Sequence, residues 1–303
     1  MVATECSSSA TNSFIHNLGV GSVDMVKSDL ILKLALGLSL FLISMAHTFA
    51  GETRNSSTLV FGVYPQDNAS YYNKYWESLV DQVSSISGQS IRFEMATDPD
   101  DFEQKLSRGA YDFVLLNAHM YTQAHDAIGY QAFAKEKGHK DKGVIVVHRD
   151  SNIRTLADLR SQTLGLSDPR RFTSTVLTRA HLNQQGIPVD VEFVESDKSV
   201  YRAVVHGDLA AGAGEVNTLN DINPNAHSKL RVIWSSKQYS SNAFAAHPRV
   251  KPEQLARVKD ALISLERDLK GKRLLGYVKF KGIAAASDEE WNDVRALKRH
   301  LGR

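Results

Sequence analysis

Short apolar runs alternate with amphipathic segments along most of the chain, a pattern typical of strands and helices that follow one another in turn. Residues 71–88, for example, place Tyr72, Trp76 and Val83 on one helical face and end at Gly88. In the first half of the chain the pattern predicts strands at residues 58–65, 90–96, 111–117 and 143–150, and helices at 71–88, 98–109 and 118–125.

The alternation begins again after residue 150. It predicts strands at residues 162–168, 189–196, 209–216 and 230–236, and helices at 155–161, 172–185, 197–207, 251–269 and 288–302. Alternating strand and helix units are typical of α/β sheets, and two successive runs of them indicate two lobes. We therefore expect an α/β fold with two mixed or parallel sheets.

The first 50 residues follow a different pattern. Lys27 and Lys33 precede an apolar stretch at residues 34–46, and Thr48 and Ala50 occupy the −3 and −1 positions of a cleavage site. This layout predicts a secretory signal peptide that is cleaved after Ala50. The alternative is a transmembrane anchor, but the apolar stretch is shorter than the ~20 residues that a membrane span needs.

Composition narrows the classes of function. The formal net charge is +2 and the two signs of charge are interspersed, so no basic surface for nucleic acid is expected. The single cysteine, Cys6, precedes the apolar stretch, which leaves the remaining chain without a disulfide, a catalytic cysteine or a lipid-attachment cysteine. We expect a soluble protein in a bacterial periplasm.

Polar side chains gather where predicted strands lead into helices, which is where ligands bind in open α/β sheets. His119 and His125 are six residues apart, which does not suit two metal ligands on one helical face. Ser174 lacks the GxSxG motif of a serine nucleophile, and no phosphate-loop motif is present. The junctions therefore predict a binding cleft without a metal, a cofactor or enzymatic activity.

The junction at residues 167–182, SDPRRFTSTVLTRAHL, combines two arginines with three consecutive hydroxyl residues at a predicted helix start. Backbone N–H groups, hydroxyls and a guanidinium together suit a tetrahedral oxyanion. The alternative is that Thr173 caps the helix and both arginines are solvated.

Acidic and aromatic residues at the other junctions also have two interpretations. Asp197 and Glu215 could accept protons from a protonated oxyanion or pair with a ligand amine, or they could be solvated loop acids. Tyr64 and Tyr121 could contact a ligand or belong to the core.

Four blocks of the chain resemble the phosphate/phosphite/phosphonate-binding proteins of bacterial ABC transporters. They occur in the family's order between about residues 58 and 265: GVYPQDNASYYNKYWESLVDQVSSISG, LSRGAYDFVLLNAHMYTQA, GVIVVHRDSNIRTLADLRSQTLGLSDP, and RVIWSS followed by HPRV. The resemblance implies a two-lobed, hinged periplasmic binding protein of type II-like fold. With the prefix and signal peptide at residues 1–50, the domain organisation that we expect is a first lobe at 51–148 completed by 243–303, and a second lobe at 149–242.

The resemblance also implies ligand contacts. Tyr121 falls on a pocket tyrosine of the family, and Tyr64 and Gln66 fall on its first ligand loop. The family's serine–threonine–serine run after Asp-Pro aligns here with Arg171, Phe172 and Thr173. With the junction residues, the predicted ligand-binding set is Tyr64, Gln66, Asn117, His119, Tyr121, Arg171, Thr173, Ser174, Thr175, Asp197 and Glu215.

The expected function is capture of a small oxyanion (phosphate, phosphite or phosphonate-like) between the lobes by a monomer, with delivery to an ABC permease after hinge closure. A periplasmic sensing subunit for a receptor or sensor kinase is the alternative. An enzyme is the third hypothesis, disfavoured because the sequence lacks a nucleophile, metal or cofactor motif.

Overall fold

This computed structural model describes residues 58–65 and 69–297, with only the backbone for residues 69–72. The predicted prefix and signal peptide, and Gln66, lie outside the described residues. Among the helices that are described, none combines the length and apolarity needed to cross a membrane.

The described strands form two sheets. They are β1 (Leu59–Val63), β2 (Ile91–Met95), β3 (Phe113–Leu116), β4 (Gln131–Glu136), β5 (Gly143–His148), β6 (Thr163–Leu166), β7 (Asp190–Phe193), β8 (Ala211–Glu215), β9 (Leu230–Ser235), β10 (Ala243–Ala246) and β11 (Ile283–Ala285).

The helices flank these sheets. They are α1 (Ala69–Ser87), α2 (Pro99–Ser107), α3 (Ala118–Ile128), α4 (Thr178–Gln184), α5 (Asp197–His206), α6 (Val216–Asn220), α7 (Pro224–Ser228), α8 (Pro252–Ser264), α9 (Leu269–Tyr277) and α10 (Asn292–Arg295). Short 3₁₀ turns lie at Leu156–Leu159, Leu265–Arg267 and Asp288–Trp291, and a π-helical segment at Phe172–Leu177 precedes α4.

Both sheets are mixed. The first has the order β11-β4-β10-β3-β1-β2, and the second β7-β6-β8-β5-β9. In the first sheet β1 runs parallel to β2 and β3, whereas β10 runs antiparallel to β3 and β4. In the second, β6 runs parallel to β7 and β8, and β5 runs antiparallel to β8 and β9. The α/β architecture with two mixed sheets is thus as predicted.

The chain crosses between the sheets twice, at residues 137–142 and 236–242. The two crossing segments pair with each other, because Asp141 N–H donates to Tyr239 O (3.0 Å) and Tyr239 N–H donates to Asp141 O (2.9 Å). The sequence-based boundary after residue 148 differs from this arrangement, since β5 pairs with β8 and β9 in the second sheet. The return to the first sheet begins with β10 at Ala243.

Apolar clusters pack on both faces of each sheet, although the edge strand β7 is exposed along its whole length. Successive residues of β5 illustrate this: Val144 and Val146 belong to one cluster, and Ile145 and Val147 to the cluster on the opposite face. In the first sheet one cluster also contains Phe172 from the second lobe. The two lobes therefore share apolar contacts at the π-helical segment.

Candidate functional site

A cavity of about 710 Å³ is lined by residues of both sheets and of both crossing segments. Five of the predicted site residues line it: Tyr64, Asn117, Arg171, Thr173 and Glu215. The other described members of the predicted set, His119, Tyr121, Ser174, Thr175 and Asp197, do not. The cavity has the size of a small-molecule site.

Two first-lobe residues reach across the cavity to the loop at residues 167–171. The Tyr64 hydroxyl donates to Asp168 Oδ2 at 2.5 Å, and burial together with the Asp168 carboxylate raises the pKa of Tyr64. Asn117 caps α3 by accepting from Met120 N–H (2.9 Å), and its Nδ2 donates to Arg170 O at 3.1 Å. These side chains connect the lobes as well as lining the cavity.

Arg170 completes this connection at the outer rim. Its Nε donates to Glu103 Oε1 on α2 at 2.6 Å, and its Nη2 pairs with Asp100 on the same helix. Both acids are exposed, and Arg170 itself does not line the cavity. Of the two arginines in the SDPRR stretch, Arg170 therefore holds the lobes together, and Arg171 is the one that lines the cavity.

The helix predicted at residues 172–185 starts with a π-helical segment. Its first backbone hydrogen bonds run from Thr175 N–H (3.2 Å) and Val176 N–H (3.0 Å) to the same acceptor, Arg171 O. The N–H groups of residues 172–174 precede these bonds and belong to the open end of the helical segment. Thr173 lies in this first turn and lines the cavity, with Arg171 directly before it.

Three predicted ligand residues serve instead to hold the junctions together. Asp197 is 5% exposed and accepts from the Ser167 hydroxyl (2.6 Å) and from Glu215 N–H (3.0 Å). The Ser174 hydroxyl lies 2.9 Å from that of Ser167, and the Thr175 hydroxyl donates to Asp168 O at 2.9 Å. Because these side chains bond to other groups of the protein, they are not part of the proposed site.

Tyr121 lies on the far side of α3 from the cavity. It is fully buried, donates to Asp288 and accepts from Ala132 N–H at 3.1 Å, and its ring packs against Trp291. The sequence left open whether Tyr121 contacts a ligand or belongs to the core, and this packing fits a core residue. His119 precedes it in the first turn of α3, where its carbonyl accepts from the Thr122 hydroxyl.

The cavity wall also contains a cluster of titratable residues, of which only Glu215 was predicted from the sequence. Glu136 at the end of β4 and His139 and Asp141 in the first crossing segment meet Glu215 at the end of β8. His139 Nε2 lies 3.2 Å from Asp141 Oδ1 and 3.6 Å from Glu215 Oε1. In the sequence, these residues belong to the polar run KEKGHKDKG between two apolar segments, and such a run is also typical of an ordinary linker.

The charges in this cluster act on one another. The hydrogen bond with Asp141 raises the pKa of His139 to about 8, and burial raises the pKa of Glu215 to about 7. Burial also raises the pKa of Glu136 and of Asp141. Three partly desolvated carboxyls thus surround one imidazole at the point where the chain crosses between the lobes.

Three solved structures illustrate the similarity of this fold to known ones. A binding protein component of an ABC phosphonate transporter from Pseudomonas aeruginosa is 16% identical with a TM-score of 0.67, over 80% of this chain and 86% of that one. PhnD1 from Prochlorococcus marinus, in complex with methylphosphonate, is 17% identical with a TM-score of 0.69, over 82% and 99%. A protein from Xanthomonas citri bound to chloride ion is 20% identical with a TM-score of 0.70, over 81% and 98%. They share the two-lobed fold.

The sequence profile of one family matches most of the chain. The family is described as "ABC transporter, phosphonate, periplasmic substrate-binding protein", and the match covers residues 61–291. This range contains both sheets, apart from the first two residues of β1, and every described residue that lines the cavity. The chain belongs to the periplasmic substrate-binding proteins of ABC phosphonate transporters.

Proposed function

We propose that the chain binds a phosphonate or a related tetrahedral oxyanion in the cavity between its lobes. The observation that carries this proposal is the open end of the helical segment at Phe172, where Arg171 and Thr173 both line the cavity. Backbone N–H groups at a helix start, a hydroxyl and a guanidinium supply donors that match the oxygens of such a ligand.

Arg171 supplies the positive charge at this end of the cavity. Its Nε lies 4.0 Å from Asp197 Oδ1, so the buried carboxylate helps to orient the guanidinium. A planar guanidinium can bind two oxygens of one oxyanion, which fixes the orientation of the ligand as well as its charge. Asn117 and Tyr64 add polar groups on the opposite wall from the first lobe.

The remaining steps of the proposal are supported by the family to which the chain belongs. A signal peptide in the first 50 residues would export the chain, and the monomeric protein with its lobes closed on the ligand would dock on an ABC permease. The contacts of Tyr64, Asn117 and Arg170 between the lobes support a closed arrangement that a ligand would favour.

Isothermal titration calorimetry of the purified protein with methylphosphonate, phosphite and phosphate tests the proposal. We expect saturable binding of at least one of them and a loss of about 10- to 100-fold in affinity for Arg171→Ala, since hydrogen bonds to charged groups are worth about 1.5–3 kcal/mol. Arg179→Ala is the matched control, because Arg179 is exposed on α4 of the same helical segment.

Two results would contradict the proposal. One is the absence of binding heat with all three ligands at concentrations at which the protein is folded. The other is equal affinity for Arg171→Ala and Arg179→Ala, which would move the ligand away from the helix start.

A further inference from the structure

The cluster at the first crossing segment has the composition and spacing of a metal site. Its ligand atoms, one each from His139, Asp141 and Glu215, lie within 4.8 Å of one another, with His139 Nε2 as the common neighbour of the two carboxylates. Imidazole with carboxylates is a donor set that divalent zinc and its first-row neighbours accept.

The distances fit a single shared ion. Zinc bonds nitrogen and oxygen ligands at about 2.0–2.2 Å, so two ligand atoms at a tetrahedral angle lie about 3.4 Å apart. The separations from His139 Nε2 are 3.2 Å to Asp141 Oδ1 and 3.6 Å to Glu215 Oε1, on either side of that value. The third separation, between the Asp141 and Glu215 oxygens, is at most 4.8 Å, so only side-chain movement is needed to place all three atoms around one ion.

The second nitrogen of the imidazole faces another carboxylate. His139 Nδ1 lies 3.7 Å from Glu136 Oε2, and Glu136 is only 7% exposed. A histidine that binds a metal through one nitrogen commonly has its other N–H directed at a carboxylate, which fixes the tautomer and the ring orientation. Glu136 is therefore placed outside the three ligands, where it would position His139.

The charge of the cluster also calls for a cation. Asp141 is 8% exposed and Glu136 7% exposed, and together with Glu215 they place three carboxyl groups around one imidazole. Two lysines are close enough to act on the cluster: Lys140, which donates to the Ser240 hydroxyl, acts on Asp141, and Lys281 acts on Glu136. A divalent ion would stabilise the ionised carboxylates in this partly desolvated wall.

We propose that His139, Asp141 and Glu215 form a binding site for a divalent transition-metal ion of the zinc class, with a fourth coordination position open to the cavity. All three residues line the cavity, and three protein ligands with one open position leave room for a water or an oxygen of a second ligand. The site does not depend on phosphonate binding, since all three ligands belong to the protein.

Cobalt(II) tests the site directly, because its visible ligand-field absorption changes when water ligands are replaced by an imidazole in a four-coordinate site. Untagged protein is treated with a chelator, dialysed and titrated with Co²⁺ followed by absorbance, and with Zn²⁺ followed by calorimetry. We expect one saturable equivalent of each ion. His139→Gln and Glu215→Gln, one from each side of the cluster, should each weaken binding at least tenfold, and Glu136→Gln should weaken it about tenfold.

His148→Gln is the matched control, since His148 lies near Asp150 on the surface and away from the cavity. It should leave the affinity and the cobalt spectrum unchanged, and circular dichroism checks that each variant is folded. Absence of a saturable equivalent, or equal affinities for His139→Gln, Glu215→Gln and wild type, would overturn the proposal. Phosphonate binding is measured separately with chelator present, so the two proposals fail independently.

Discussion

Asp197 offers a sharp test, because its carboxylate ties together three strand-to-helix junctions. It stands at the start of α5, accepts from Ser167 at the end of β6 and accepts from the backbone N–H of Glu215 at the end of β8. Asp197→Ala would leave both buried donors without this partner. The variant should therefore lose stability.

The magnitude follows from the two bonds. Hydrogen bonds to a charged group contribute about 1.5–3 kcal/mol each, and relief from burying a carboxylate offsets part of their loss. We expect Asp197→Ala to lower the free energy of unfolding by about 3 kcal/mol. Asp197→Asn keeps one acceptor oxygen, and its amide can donate to the Ser167 hydroxyl, so a loss of about 1 kcal/mol is expected.

Urea unfolding followed by tryptophan fluorescence measures the effect, with Trp234 in the second sheet as a reporter of the affected lobe. Asp190→Ala is the control, since Asp190 is an exposed carboxylate at the start of β7. An unfolding free energy for Asp197→Ala within about 0.5 kcal/mol of wild type would refute the reasoning.

Three further predictions address the lobes and the crossing segment. Arg170→Ala removes the ion pairs to α2 and should weaken oxyanion binding three- to fivefold by calorimetry, since exposed pairs are worth at most about 1 kcal/mol each. With chelator present, the free energy of unfolding should fall as the pH rises from about 6.5 to about 8, because the folded state holds the His139 proton more tightly than the unfolded chain does. A His139 pKa raised to about 8 corresponds to a loss of about 2 kcal/mol over this range, and His139→Gln should flatten the slope. Gly143→Ala places a Cβ 2.9 Å from Thr173 O and should lower the unfolding free energy by about 1–3 kcal/mol.

Each of these has a matched control. Arg108→Ala removes an exposed arginine whose hydrogen bonds stay within α2, so oxyanion affinity should not change. His148→Gln should keep the wild-type pH slope. Gly276→Ala meets no atom within 4 Å in helix α9 and should raise stability slightly. If a control variant changed the measured affinity, pH slope or stability as much as its test variant, the corresponding argument would be contradicted.

Periodicity predicted the α/β architecture well, because strands such as β1, β3 and β5 are buried on both faces and therefore carry continuous apolar runs. It missed β4, β10 and β11. β10 consists of Ala-Phe-Ala-Ala, whose small side chains carry little hydrophobic signal, and its position between β3 and β4 is decided by pairing distant in sequence. The antiparallel strands of the first sheet were therefore invisible to local patterns, whereas β5, which runs antiparallel to its neighbours in the second sheet, was predicted.

The candidate site was predicted in part for a similar reason. The junctions after β1, β3, β6 and β8 each supplied a cavity residue, as the rule for α/β sheets leads one to expect. Which side chain of a junction faces the cavity depends on how the following helix packs. Tyr121 is directed to the core by Trp291 and Asp288, and Asp197 by Ser167. The position of His139 in the cavity wall could not be predicted without knowing where the chain crosses between the sheets.

The paired crossing segments have a mechanical consequence. Because Asp141 and Tyr239 exchange both backbone hydrogen bonds, the two connections form one short ribbon, and relative rotation of the lobes must twist it as a unit. The side chain of Asp141 lies in the cavity wall beside this ribbon, whereas Arg170 meets α2 outside the cavity lining. A twist of the ribbon would therefore change the shape of the cavity wall at Asp141 and the contact of Arg170 with α2 together.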